Sequence, residues 1–386
     1  MHPGISTRQK VFYGAGDIMG TLAFTVTALF LPYFFTDVIG LPSVLAGLII
    51  LIGNSWDAIT DPLAGHVSNR TRSRLGRRRP YFLGMAIPIG LSFILLFSIP
   101  TGLSQISTFI FCMLAYMLFI TFTTFYMVPY LAYGMEIERS YDGRTSLTAW
   151  RMFFSIAFGL VGAVVPKIIW ESASMPSYGF FLMSVLFAIP VSTSPLFPFF
   201  AGREEQVNEP VKTNFFKDFV LALKNSHFVK AIIIYVSSWV GINSVQTLLI
   251  YYFKYVVNIS DQFEIIIGVL FGVAIISLPL WVYLSKKLDK RKAYILGAAM
   301  FALLMLTLLL PAAQVIAIIW IIVPLLGIAL SAMHVMPSAI LPEAIETASN
   351  ANSGEGVHYG ILTFIHKTIN ALAQFGLLAI LGIAGY

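Results

Sequence analysis

Charge is what this sequence has least of. Asp, Glu, Lys and Arg make up 11% of its 386 residues, where a water-soluble domain carries about 25%, and the mean hydropathy is +0.83. A soluble globular fold is excluded. Cys112 is the single cysteine, so an intramolecular disulfide framework is excluded as well. The chain has no HExxH, GxSxG, Walker loop or CxxC, and its six histidines are scattered. Zincin, serine-hydrolase, phosphate-loop and dithiol chemistries therefore have no motif to rest on, and an enzyme and an organic cofactor are not expected. "GAG" at 14–16 opens no strand-turn-helix unit and reads as close helix packing.

What is present is a succession of apolar stretches of about twenty residues, the length that crosses a bilayer. Hydropathy and helix breakers place membrane helices near 12–38, 41–67, 80–99, 105–136, 146–170, 178–201, 229–257, 262–285, 293–311, 315–342 and 357–385. The expected class is an all-α, multi-pass membrane protein with eleven transmembrane helices. "MHPGISTRQK" is short and weakly basic and lacks a cleavage signature, so the first helix is expected to stay as an anchor. The net charge of +6 reads as topology rather than as nucleic-acid affinity. One side of the membrane receives Arg8, Lys10, the run from Arg70 to Arg79, Arg139, Arg144, the cations from Arg203 to Lys230 and the cluster from Lys286 to Lys292; the other receives Lys167 and Lys254. That asymmetry places the N-terminus in the cytoplasm.

The one long polar stretch, 202–228, divides an N-terminal bundle of six helices (1–201) from a C-terminal bundle of five (229–386). Within it "NFFKDFVLALK" is expected as an amphipathic helix on the cytoplasmic surface. The halves resemble each other. "DPLAGHVSNRTRSRLGRRRPYFLG" (61–84) matches "LPLWVYLSKKLDKRKAYILG" (278–297), and "FTDVI" (35–39) matches "FKYVV" (253–257). Parallel repeats of this kind occur in transporters built from two six-helix bundles. An even repeat with eleven helices implies a missing twelfth, absent naturally or because the chain ends at Tyr386.

Ionisable side chains inside such a membrane protein are expensive and usually mark a pathway. Asp57 lies ten residues from Val67, about 15 Å deep at about 1.5 Å per residue, and Asp61 follows one turn later on the same helix face. Two carboxylates aimed at one cavity offer the hard oxygens that a small cation prefers. The alternative is structural, with Asp61 latched to the arginine-rich loop and Asp57 paired with Arg151 or Lys367. Asp17 is a candidate third cation ligand or the partner of a cation. Lys367, also about 15 Å deep by the same arithmetic, and Arg151 are candidates for a charge network with the acids. Asn243, Gln246 and Thr247 fall within about a turn and either bind a solute or glue helices. Tyr126, Tyr130, Trp150 and Trp239 either stack on a ligand or anchor the interface. Glu343 is placed in a cytoplasmic loop.

Taken in order, "YGAGD", "FFTDVIGL", "WDAITDPLAG" with "NRTRSRLGRRRPY", "MVPYLAYGMEI", "WRMFF", "IYYFKYV" and "HYGILTFIHK" resemble the glycoside-pentoside-hexuronide:cation symporters, a branch of the major facilitator superfamily. The resemblance implies twelve helices in two bundles, alternating access, and cotransport of a sugar with sodium, lithium or protons across a bacterial inner membrane by a monomer. Its cation carboxylates fall on Asp57 and Asp61, its lysine on Lys367, its arginine on Arg151 and a polar position on Asn243. The family's sugar-binding acids fall on Thr21, with Asp17 one turn earlier, and on Met127. Two tryptophans of the melibiose site fall on Leu131 and Ala332. The cation side is kept while the galactoside side is largely replaced. The solute site expected from the residues and the resemblance together comprises Asp17, Thr21, Tyr126, Met127, Tyr130, Arg151, Asn243, Gln246 and Lys367. Relatives that carry lysophospholipids with sodium make an amphiphile the alternative solute, and a non-transporting membrane scaffold or sensor is the remaining rival.

Overall fold

A computed structural model describes residues 6–100, 102–138, 141–202, 223–348 and 355–383. Arg139 and most of the expected amphipathic helix lie outside them, as does the side chain of Glu343. Among the described residues all regular structure is helical. The chain divides into two compact units, Met1–Glu209 with Phe375–Tyr386, and Pro210–Gln374. The closing turns of the last helix therefore belong to the first unit.

The first unit contains α1 (Thr7–Ala15), α2 (Asp17–Tyr33), α3 (Ser43–Arg70), α4 (Arg79–Leu96), α5 (Gln105–Ile137), α6 (Tyr141–Glu171) and α7 (Pro176–Thr193). The second contains α8 (Ser226–Tyr251), α9 (Phe263–Ile276), α10 (Leu278–Leu288), α11 (Lys290–Thr307), α12 (Ala312–Ala348) and most of α13 (Glu355–Ile383). Helices dominate because hydrocarbon supplies no partner for a backbone amide, so each segment must bond to itself. Their ends are closed by side chains. Ser6 and Gln9 form a reciprocal capping box at α1, Ser104 accepts from Ser107 N at α5, and Asn225 accepts from the amides of His227 and Phe228 at α8.

Ten helical stretches among the described residues are long and apolar enough to span a membrane. The expected span at 293–311 is helical as α11, but Lys290, Arg291 and Lys292 occupy its first turn and it is not among the ten. The expected spans at 12–38 and 262–285 are each found as one stretch, Thr7–Val38 and Phe263–Ser285, with an internal turn. The second turns at Ser277, and α10 starts with Pro279 in its first turn, where proline is favoured because its missing N–H is an orphan anyway. The first span begins at Thr7 and turns at Gly16. There the GAG motif permits close approach: a Cβ on Gly14 would lie 2.8 Å from the Trp150 carbonyl carbon, and one on Gly16 would meet Tyr126 Oη at 2.7 Å.

The sequence repeat has a structural counterpart in each unit. After α2 the chain makes a π-turn, Phe34–Val38, with Ile39 N donating to Phe34 O and Leu41 N to Phe35 O, and then Gly40 at φ 78°. After α8 it makes another, Tyr252–Val256, with Val257 N donating to Tyr252 O and Ile259 N to Phe253 O, and then Asn258 at φ 59°. "FTDVI" and "FKYVV" thus encode one local device, with glycine or asparagine supplying the left-handed residue that ends it.

In the first unit Phe180 stacks on Phe97 and on Trp170, the latter at 4.4 Å, and Phe34 meets Phe97 and Phe180 at a tilt. Near Ser68 and α4 a buried carboxylate organises part of the arginine run. Glu136, 7% exposed, accepts from Arg77 at 2.7 Å and from Arg78 at 3.2 Å. Arg78 also reaches Ser68 Oγ, and Arg79 donates to Phe199 O at 2.8 Å while lying over the Phe199 ring. In the second unit Trp281 packs on Ala293, Ala332 and Met336 and donates its indole N–H to Ile328 O at 2.7 Å.

Removing the carboxylate from buried arginines strands their charge, at a cost of about 3 kcal/mol or more. Glu136→Ala should therefore lower the melting temperature of the detergent-solubilised protein by several degrees. A melting temperature equal to that of the unmutated chain would show that Glu136 does not hold this end of the unit together.

Candidate functional site

Two polar assemblies form inside the first unit. The first lies on α3 and α5. Asn54, Asp57 and Asp61 recur at three and four residues and so share a helix face. Asp57 and Asp61 are both half-buried. Thr124 Oγ1 donates to Asp57 Oδ1 at 2.6 Å, the short distance typical of a hydroxyl bonded to a charged oxygen. Next to it Tyr116 Oη donates to Asn54 Oδ1 at 3.1 Å, and Trp56 Nε1 donates to Thr121 Oγ1 at 2.9 Å. The missing Cβ of Gly53 admits the Tyr116 ring against the α3 backbone. The α3–α5 seam thus carries carboxylate, amide and hydroxyl oxygens, hard donors that suit a small cation or a proton. No group of three or more His, Cys, Asp or Glu among the described residues could hold a metal ion, so the donor set does not resemble a resident transition-metal centre.

The second assembly lies where α1 turns into α2, against α6. Asp17, 7% exposed, accepts from Thr21 Oγ1 at 3.3 Å, and Thr21 Oγ1 and Ser155 Oγ lie 2.7 Å apart. Arg151 lies near enough to act electrostatically on Asp17 and Tyr13. Arg151 keeps one buried atom, Nε, with no partner among the described residues.

Tyr126 and Tyr130 are fully buried, and their hydroxyls go to backbone: Tyr126 Oη donates to Gly16 O and Tyr130 Oη to Tyr13 O, both at 2.9 Å. Tyr130 stacks on Tyr13 at 4.7 Å and on Tyr126 at 5.4 Å. Both carbonyls lie where the first span turns, and Tyr13 O also accepts from Gly16 N at 3.0 Å, so the tyrosines brace the segment that presents Asp17. Met127 lies beside Gly20, where its Cε would stand 2.9 Å from an added Cβ.

Asn243, Gln246 and Lys367 lie in the second unit. Asn243 Nδ2 donates to Asn370 Oδ1 at 2.9 Å, and both residues are buried. Gln246 and Lys367 are half-buried. Sequence reasoning missed Thr124, Ser155 and Asn370. The only signal available was their polarity within apolar runs, such as "TFTTF" at 121–125, which by itself does not say which neighbour each one serves.

A family model described as MFS/sugar transport protein matches residues 12–386. The putative glycoside/cation symporter YagG of Escherichia coli (strain K12) is 35% identical over 166 residues, 42% of this chain and 36% of that protein. The sodium-dependent lysophosphatidylcholine symporter 1-A of Danio rerio is 23% identical over 98% of this chain and 78% of its own length. Among solved structures, a point mutant of the nucleoside transporter NupG superposes with a TM-score of 0.68 at 10% identity, covering 97% of this chain and 91% of its own. That likeness carries the fold alone.

Tyr126→Phe and Tyr130→Phe each remove a buried hydrogen bond worth about 1 kcal/mol while keeping the ring. Each should lower the melting temperature measurably, and the double variant should lower it further. No shift in either variant would contradict the bracing role.

Proposed function

The chain belongs to the family of MFS/sugar transport proteins, a multi-pass membrane transporter and not an enzyme, and from that premise we propose that it couples uptake of a sugar or glycoside to entry of a small cation. The observation that carries this is the 2.6 Å bond from Thr124 to Asp57 on a face shared with Asp61, midway along the span Ser43–Ser68. Carboxylates at that depth are costly when charged and uncompensated. A sodium ion or a proton relieves the cost, so the loaded protein changes conformation more readily than the empty one. The bound solute is exposed to one side of the membrane and then the other. Coupling follows because the unloaded acids penalise the passage.

We assign Asp57 and Asp61 to the cation, and Asp17, Thr21 and Arg151 to the solute in the first unit, with Tyr126, Tyr130 and Met127 supporting them. Asn243, Gln246 and Lys367 are likewise assigned to the solute, and Lys367 and Arg151 to charge compensation of the acids. The N-terminus is assigned to the cytoplasm of a bacterial inner membrane, and the transporter acts as a monomer. The name of the glycoside/cation symporter supports the solute class, and the lysophosphatidylcholine symporter supports a second reading in which the cargo is an amphiphile.

Purified protein in liposomes, given labelled pentosides, hexosides and lysophosphatidylcholine with and without an inward sodium or proton gradient, separates these readings. Uptake of a glycoside driven by one of the gradients is expected, with Asp57→Asn reducing driven uptake at least about tenfold, a change of about 1.4 kcal/mol, and leaving exchange at zero gradient less affected. Full-rate driven uptake by Asp57→Asn would remove the carboxylate from coupling, and uptake confined to the lysolipid would favour the amphiphile.

A further inference from the structure

The internal repeat includes a run of cations ahead of a helix, and the two units use those cations differently. "SRLGRRRPYFLG" (73–84) and "KKLDKRKAYILG" (286–297) align without a gap: Leu75 matches Leu288, Gly76 matches Asp289, and Arg77, Arg78 and Arg79 match Lys290, Arg291 and Lys292. The backbone repeats as well, with Gly76 at φ 103° and Asp289 at φ 81°, a left-handed residue shortly before α4 and α11. In the first unit the protein itself takes up the cations. Arg77 and Arg78 go to Glu136, Arg78 also to Ser68, and Arg79 to the Phe199 carbonyl and ring. In the second unit Arg291 and Lys292 are exposed, as is Lys287, and the side chains of these three have no ion-pair or hydrogen-bond partner among the described residues. Five of the seven residues 286–292 are Lys or Arg, against one acid, Asp289, so the turn carries a concentrated positive field.

The neighbours of these cations narrow the partner. On α10, Leu280, Tyr283 and Lys287 recur at three and four residues and share an outward face. Tyr283 is 61% exposed there, while Trp281 is buried against Ala293 and Ala332. On α11, Arg291 and Lys292 stand one turn before Ile295 and Leu296, which are exposed. Each helix thus sets a cation one turn nearer its polar end than its exposed apolar side chains, and exposed Leu288 lies between the two sets. The span Phe263–Ser285 ends just before the cations begin, so this order runs from the hydrocarbon to the membrane surface. An acidic protein or a nucleic acid would meet the charges and leave the tyrosine and aliphatic side chains uncovered. A molecule with an anionic head above hydrocarbon meets both.

We propose that the turn between α10 and α11 is a docking site for an anionic phospholipid of the surrounding bilayer. Its headgroup phosphate lies on Lys287, Arg291 and Lys292, and its acyl chains run along the exposed apolar side chains of α10 and α11. The site uses none of the residues assigned to the solute or the cation. It ties the second unit to lipid of one charge, whereas the matching cations of the first unit are held by protein.

The single cysteine, Cys112, is buried, so the full-length variant Cys112→Ser/Leu280→Cys carries one bimane fluorophore beside the site. In proteoliposomes of dioleoylphosphatidylcholine, its quenching by dibrominated phosphatidylglycerol is compared with quenching by dibrominated phosphatidylcholine. The anionic lipid should occupy the site at least about tenfold more strongly, a preference that falls as salt is added. A bimane at Leu309→Cys, beyond the far end of α11, should show no preference. Lys287→Gln/Arg291→Gln/Lys292→Gln should bring the ratio close to one at an unchanged melting temperature. Asp289→Gly removes the opposing charge and supplies the residue that stands at the matching position 76, so it should raise the ratio, which a merely structural turn would not do. Equal quenching by the two lipids at Leu280→Cys, the same preference at Leu309→Cys, or a preference that survives loss of the three cations overturns the proposal. Displacement of the anionic lipid by polyglutamate at constant ionic strength overturns it too, and assigns the patch to an acidic protein segment.

Discussion

Charge inside hydrocarbon must be compensated, and much of the interior of the first unit follows from that requirement. Asp17 accepts from Thr21 Oγ1, which lies 2.7 Å from Ser155 Oγ. Glu136 takes both Arg77 and Arg78. Lys167, buried to 2% exposure, meets Glu171 at 3.3 Å. Asp57 accepts a hydrogen bond from the Thr124 hydroxyl at 2.6 Å.

The second requirement is that every backbone amide find a partner inside the membrane. It explains why the spans are continuous helices and why their interruptions are so specifically managed. Where the first span turns at Gly16, the carbonyls of Tyr13 and Gly16 accept from the hydroxyls of Tyr130 and Tyr126. Where it ends, and where α8 ends, the same pair of amide–carbonyl bonds closes a π-turn before a left-handed residue. The interruptions put functional backbone at defined places: the first presents Asp17, and the paired π-turns end the leading helix of each repeat.

The class of fold was legible because hydrophobicity over twenty residues is a strong signal and charge in it is rare; Asp57, Asp61 and Lys367 stood out for that reason. The repeat was legible at "FTDVI" and "FKYVV", though not that both fold as π-turns. Partners were much less legible. Glu136 lies 58 residues from Arg78, and no local pattern ties them. Tyrosine and phenylalanine are so common in this chain that those spending a hydroxyl on backbone look like those lining a site, and only the contact reveals Tyr126 and Tyr130 as braces. Breaks within apolar runs, at Gly16 and at Ser277, were hidden because helix-compatible residues surround them. Asn243 was legible as a polar residue in an apolar run, but its bond to Asn370 was not, because Asn370 lies 127 residues away.

The central claim is that the α3 carboxylates exchange a small cation. Calorimetry on the intact, purified protein, titrated with sodium in two buffers of different ionisation enthalpy, tests it most directly, because it registers either sodium uptake or proton exchange. Saturable heat or buffer-dependent proton release in the unmutated chain, abolished in Asp57→Asn/Asp61→Asn, is the predicted result. The same heat in both proteins, or none in either under both buffers, would contradict it.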